Sequence, residues 1–215
     1  ASLRAVTGQV DTRLTVFVED KFAATWVRIM LQNTPSVAMD ALEIHPMKGD
    51  GIAVGVHCHH NINPSVKYKS ICIIDGDSQQ KEDKNKQIFQ LPGQCPERYI
   101  YDKVLEKMEA AKGELTVALL RPFEEHDKVR DVIISVGNTN RDPHLLFSQV
   151  GRSLGFIPED RVSEAFLTIW TRYCHEEMKG LVNPIDMFIP KETDSVSLST
   201  AKGGQPHTLT LYRAM

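Results

Sequence analysis

Long apolar runs are missing from this sequence: nowhere do about eighteen consecutive apolar residues occur, so no membrane span is expected, and no charged-then-apolar leader opens the chain. Paired cysteines are missing too. Cys58, Cys72, Cys95 and Cys174 are scattered without a C-x-x-C spacing, which argues against a zinc ribbon or a disulfide framework and fits free thiols in a reducing cytoplasm. Neither charge is in excess: 25 Lys and Arg against 28 Asp and Glu rule out a global basic field, so nucleic-acid binding would need a local patch or metal ions. A G-x-x-x-x-G-K-[ST] loop is absent, which excludes a P-loop ATPase within this chain, and no internal repeat is present. The first residue is Ala rather than Met, as expected of a piece processed or excised from a longer protein.

What is present suffices for a large core. With 41% hydrophobic residues over 215 positions, the chain can form one large domain, or one domain carrying an insertion, and global disorder is not expected. LTVFV (14–18) is a β-branched and aromatic run that predicts a buried strand ending at Glu19-Asp20. FAATWVRIML (22–31) then repeats Phe22, Trp26, Ile29 and Met30 at helical spacing, bounded by Pro35. ALEIH (41–45) predicts a second strand, 68–74 a third and IFQLPG (88–93) a fourth; 52–63 has the β-branched content of a strand, but a helix there suits a parallel sheet better. Strands and helices in this alternation predict an open, mainly parallel α/β sheet flanked by helices.

Beyond Pro96 the pattern turns helical. CPERYIYDKVLEKMEAAKG (95–113) predicts one helix with Pro at its first position and Gly113 as its stop. The segment 115–120 fits strand or helix. Segments 126–136 and 143–155 predict two further helices, and 158–180 one long helix with Phe166, Ile169, Trp170 and Tyr173 as its apolar stripe. The expected organisation is therefore a catalytic α/β domain from 12–95 plus 181–215, with an all-helical insertion at 96–180. SVSLSTAKGGQP (195–206) predicts a flexible loop and HTLTLYR (207–213) a last strand returning to the sheet.

The chemistry starts in SICIIDGDSQ (70–79), where four apolar residues run into Asp75 and a second acid follows at Asp77. Residues i and i+2 of an extended strand share a side, so both carboxylates converge just past the strand end while Gly76 keeps the turn unobstructed. Two such carboxylates repel unless a cation sits between them, and hard oxygen donors favour Mg²⁺ or Mn²⁺ over zinc. Glu19 ends another predicted buried strand; if the two strands are neighbours, it joins the same site. Asp20 either adds a ligand or caps the helix that follows. VHCHHN (56–61) invites a zinc reading, but no second cluster at suitable spacing supplies the remaining ligands.

A strand-terminal Glu followed by a strand-terminal D-x-D resembles the Toprim domain of topoisomerases, primases and certain nucleases. VFVEDKFA, ICIIDGDSQ, LPGQCPERYIYDKV, the helical insertion and the late lysine of HEEMKG are similar to the C-terminal nuclease half of OLD-family (overcoming lysogenization defect) ATP-dependent endonucleases. One departure is visible: many Toprim sequences have Gly after the glutamate and another acid soon after, where this chain has Asp20, then Ala23 and Ala24. The resemblance implies DNA cleavage with two divalent ions, Mg²⁺ or Mn²⁺, held first by Glu19, Asp75 and Asp77. It further implies an acid from the insertion, Glu125 or Glu124 in RPFEEHDK, and Lys179 neutralising charge on the reacting phosphate. Lys179 also suits the last turn of a helix, where it complements the dipole. Lys81, Lys84 and Lys86 are candidates for the DNA backbone, and an N-terminal ABC-type ATPase would complete the protein. Two other readings stand beside this one. In a haloacid-dehalogenase-like phosphatase Asp75 would be the nucleophile, although that fold begins on its D-x-D strand. A non-catalytic Toprim-like interaction domain would keep only a vestigial metal site.

Overall fold

The computed structural model describes residues 12–192. The expected fold class is observed: a four-stranded, all-parallel sheet flanked by helices. Its strands are β1 (Leu14–Val18), β2 (Leu42–Pro46), β3 (Ser70–Ile74) and β4 (Ile88–Gln90), in the spatial order β2-β1-β3-β4. Helix α1 (Lys21–Gln32) links β1 to β2, and α2 (Asp50–Ile62) links β2 to β3. The remaining helices follow β4: α3 (Pro96–Glu106), α4 (Met108–Ala118), α5 (His126–Thr139), α6 (Leu146–Ser153), α7 (Glu159–Tyr173) and α8 (His175–Val182). The strand expected in 207–213 lies outside the described residues.

Both faces of the sheet are covered, which is why β1 and β3 are buried along their whole length and read as continuous apolar runs. Alternation still sorts their side chains. Val16, Val18, Ile71, Ile73 and Phe89 belong to a core shared with α1 and the later helices, while Phe17, Cys72, Ile74 and Ile88 pack with Ala53 of α2 on the other face. The helical segment is joined to the first face through aromatic contacts: Trp26 of α1 meets Trp170 of α7 edge-on at 5.3 Å and stacks on Tyr99 of α3 at 5.8 Å. One continuous core therefore runs from the sheet through α1 into the helices.

Two of the expected helices are each divided in two. The helix predicted over 95–113 is interrupted at Lys107, which lies outside helical geometry and forms the shared boundary of α3 and α4. Gly113 is no stop: it sits within α4, and a Cβ there would come within 2.6 Å of the Phe123 ring. Close packing selected this glycine, not termination. The long helix predicted over 158–180 divides at Cys174 (φ −118°, ψ 42°), and α8 runs through Gly180 to Val182. Residues 115–120, ambiguous in sequence, end helix α4.

Candidate metal centre

In an all-parallel sheet every strand delivers its carboxyl end to one rim, so the paired positions Val18 and Ile73 carry Glu19 and Asp75 outward side by side. The strand order makes β1/β3 the switch point, where α1 leaves toward β2 and the chain after β3 leaves toward β4. Such crevices are the usual ligand sites of open α/β sheets. Glu19 and Asp75 do meet there: the Asp75 backbone N–H donates to Glu19 Oε2 at 3.3 Å.

Several contacts fix the turn after β3. Gly76 is required by a close backbone approach, since a Cβ would overlap the Gly93 carbonyl oxygen at 1.5 Å. Gln90 Nε2 donates to the carbonyls of Asp75 and Gly76 at 3.1 and 3.2 Å, tying the turn to the end of β4. Asp50, in the first turn of α2, gathers the chain just past Asp77: its Oδ2 accepts from Ser78 Oγ at 2.7 Å and from the backbone N–H groups of Gln79 and Gln80 at 2.9 and 3.2 Å. Those bonds hold the Asp50 carboxyl below its usual range. Asp50 is thus a positioning residue that the sequence reading missed.

The electrostatics of the rim are those of uncompensated acids. Burial, followed by the charges of Asp20, Glu19, Glu97 and Asp77, pushes the Asp75 carboxyl up to about 8. Glu19 is raised by burial and by Asp50, Asp77 and Asp20, against the Asp75 N–H bond that lowers it. Asp75 Oδ1 is buried and has no hydrogen-bond partner. Among the described residues, no Lys or Arg forms an ion pair with Glu19, Asp20, Asp75 or Asp77. Asp20 serves mainly as the N-cap of α1, its Oδ1 accepting the Ala23 N–H at 2.8 Å, and burial raises it as well. Asp77 is exposed at the mouth.

The other expected site residues are placed elsewhere. Glu125 is clamped by Arg121 at 2.8 and 3.1 Å, with Lys128 at 3.8 Å, inside the helical segment, and Glu124 is exposed beside it. Instead, the acid of the helical segment that faces the rim is Glu97, in the first turn of α3, buried and contributing to the raised carboxyls of both Asp20 and Asp75. A signal for it existed: an acid two residues past Cys95 at a Pro-initiated helix, directly after the strand-ending LPG. Lys179 is exposed and paired with Glu176 at 2.9 Å. Lys81, Lys84 and Lys86 are exposed on the loop that follows Asp77, where Lys86 is 3.4 Å from Asp83. His57 is a buried structural residue: its Nε2 donates to the Lys86 carbonyl at 2.7 Å and its Nδ1 pairs with Ser70 Oγ at 2.8 Å, leaving neither nitrogen for a metal.

Compared with protein-family models, with curated proteins and with solved structures, the chain gives no significant match. No helix among the described residues is long and apolar enough to cross a membrane.

Proposed function

We propose that this chain is a metal-dependent endodeoxyribonuclease of Toprim type, the nuclease half of an OLD-family protein. The supporting observation is the buried, unpartnered Asp75 carboxylate oxygen beside Glu19 at the β1/β3 switch point, in a group of acids that no Lys or Arg side chain neutralises. An all-oxygen donor set of this kind fits Mg²⁺ or Mn²⁺. Glu19, Asp75 and Asp77 would hold the first ion, with Asp20 alongside, and Glu97 replaces Glu125 as the acid available to a second. Bound divalent ions would supply charge neutralisation at a phosphodiester and activation of a water.

The chain's own residues do the positioning. Asp50 and Gln90 hold the turn that presents Asp77, and Gly76 lets that turn lie against Gly93. Exposed Lys81, just after the turn held by Asp50, supplies a cation for a DNA backbone near the acids, whereas Lys84 and Lys86 precede β4 toward the amino ends of the strands and would meet that backbone away from the rim. Lys179 serves the reacting phosphate only after leaving Glu176. An N-terminal ABC-type ATPase belongs to the same proposal, as does a cytoplasmic location.

Nicking of supercoiled plasmid, followed on gels with Mg²⁺ or Mn²⁺ and with chelator, tests the reading. Wild-type protein nicks only with metal, and Asp75→Ala or Asp77→Ala lowers the rate at least ~100-fold, beyond the loss typical of residues that merely orient metal ligands. Undiminished nicking in both variants refutes the assignment. An aspartyl-phosphate trapped on Asp75 would replace it with the phosphatase reading.

A further inference from the structure

Cys95, Glu97 and His144 converge at the start of α3, with one ligand atom from each lying within 4.8 Å of the others. Cys95 Sγ donates to Glu97 Oε2 at 3.2 Å, and His144 Nδ1 stands 3.2 Å from Glu97 Oε1. The first two residues are held by one turn of backbone, Cys95 as N-cap and Pro96 locking the first helical position. His144 arrives from 47 residues away, on a short 3-10 turn, Pro143–Leu145, whose backbone is fixed by Asp142 Oδ1 accepting the His144 N–H at 3.1 Å. Glu97 is 9% exposed, whereas the His144 side chain is 63% exposed, so the cluster has a buried anionic floor and an entrance from solvent.

We propose that Cys95, Glu97 and His144 bind a borderline-soft divalent cation of the zinc class, at a site that shares Glu97 with the neighbouring oxygen-only rim and adds sulfur and imidazole donors to it. Sulfur and imidazole donors favour zinc where carboxylates alone favour magnesium or manganese. Around zinc, with bonds of about 2.0–2.3 Å, adjacent ligand atoms stand roughly 3.3–3.8 Å apart. The two contacts through Glu97 are already near that spacing, and rotation of the exposed His144 ring closes the rest. On binding, the proton that Sγ donates to Glu97 passes to solvent and the metal–sulfur bond takes its place. Thiolate, carboxylate and neutral imidazole then enclose the dication as a neutral assembly. Three protein ligands leave a fourth position open to water or another donor.

This site shares only Glu97 with the proposed nuclease centre, and its test reads metal directly. The full chain is titrated with Co²⁺, the spectroscopic stand-in for zinc, in a large excess of Mg²⁺. One Co²⁺ per chain should bind with an intense near-ultraviolet sulfur-to-cobalt band that Zn²⁺ abolishes by displacement. Cys95→Ser removes the band, His144→Ala weakens Co²⁺ binding at least ~10-fold, and the Asp75→Asn/Asp77→Asn double variant retains the band. Absence of a sulfur band, a band that survives Cys95→Ser, or Co²⁺ binding lost with the rim aspartates would each overturn the proposal. Should Cys95→Ser fail to fold, His144→Ala, altered at an exposed side chain, decides the question by itself.

Discussion

At the rim of the sheet, Glu19, Asp20 and Asp75 are each held above their usual carboxylate range, with burial the leading cause. In the helical segment several acids go the other way: Arg172 bonding to Glu114, Lys112 to Asp127 and Lys179 to Glu176 hold those acids below theirs, while burial raises Glu159. The same residue type has two fates because the helices place a base on the surface near nearly every acid, at short sequence spacing or across a helix pair. Such exposed pairs add little to stability. The rim instead collects acids from the ends of β1 and β3 and the start of α3 without a Lys or Arg partner, a standing cost that a cation supplied from outside would remove.

The largest expected effect comes from removing the most strained of these charges. Asp75 binds its proton in the folded chain up to about pH 8, while the unfolded chain releases it near the usual value of 3.8. Between those limits the folded state holds more protons, so in chelator stability falls as pH rises from about 4 to about 8. The accumulated loss above pH 8 is on the order of 5 kcal/mol. Asp75→Asn removes that slope, and urea denaturation at pH 5 and pH 9 should find this variant more stable than wild type only at the higher pH. Equal stability at pH 9 would mean that the Asp75 charge is compensated at the rim.

Glycines sharpen the same contrast. Gly76→Ala forces a methyl group into the Gly93 carbonyl and should cost more than ~3 kcal/mol in denaturant titrations, or displace the turn and abolish metal binding. Gly180→Ala, in α8 with open space around it, should stabilise by about 0.5–1 kcal/mol. The smallest effect is expected at Glu125→Gln: breaking its half-exposed pairing with Arg121 should change stability by less than ~1 kcal/mol. Nicking should be unaffected, and its loss would return Glu125 to the site.

Much of the α/β half was legible because its signals are local. β1 and β3 are apolar runs of sheet length that end in acids, α1 buries the helical stripe around Trp26, and Asp20 caps it as a helix-starting aspartate should. Glu19 and Asp75 could be placed together because parallel strands share one carboxyl-end rim. The helical half was harder to read. Gly113 carries the composition of a stop, yet it serves packing against Phe123, and Cys174 interrupts a periodic stripe that gives no sign of a break. Glu125 and Glu97 are both acids at helix starts; only the docking of α3 against the rim, and the presence of Arg121 beside Glu125, tells them apart.

From residue order alone came the strand ends, the D-G-D turn with its need for glycine, and the type of donor gathered there, since backbone period and side-chain chemistry act over a few neighbours. Tertiary structure alone decided that Asp50 would clasp the turn, that Glu97 and not Glu125 would share the field of Asp75, and that His144 would meet Cys95. Such encounters depend on strand order and helix docking across tens of residues. Charges act through space, and the distances between them are set only when the core closes.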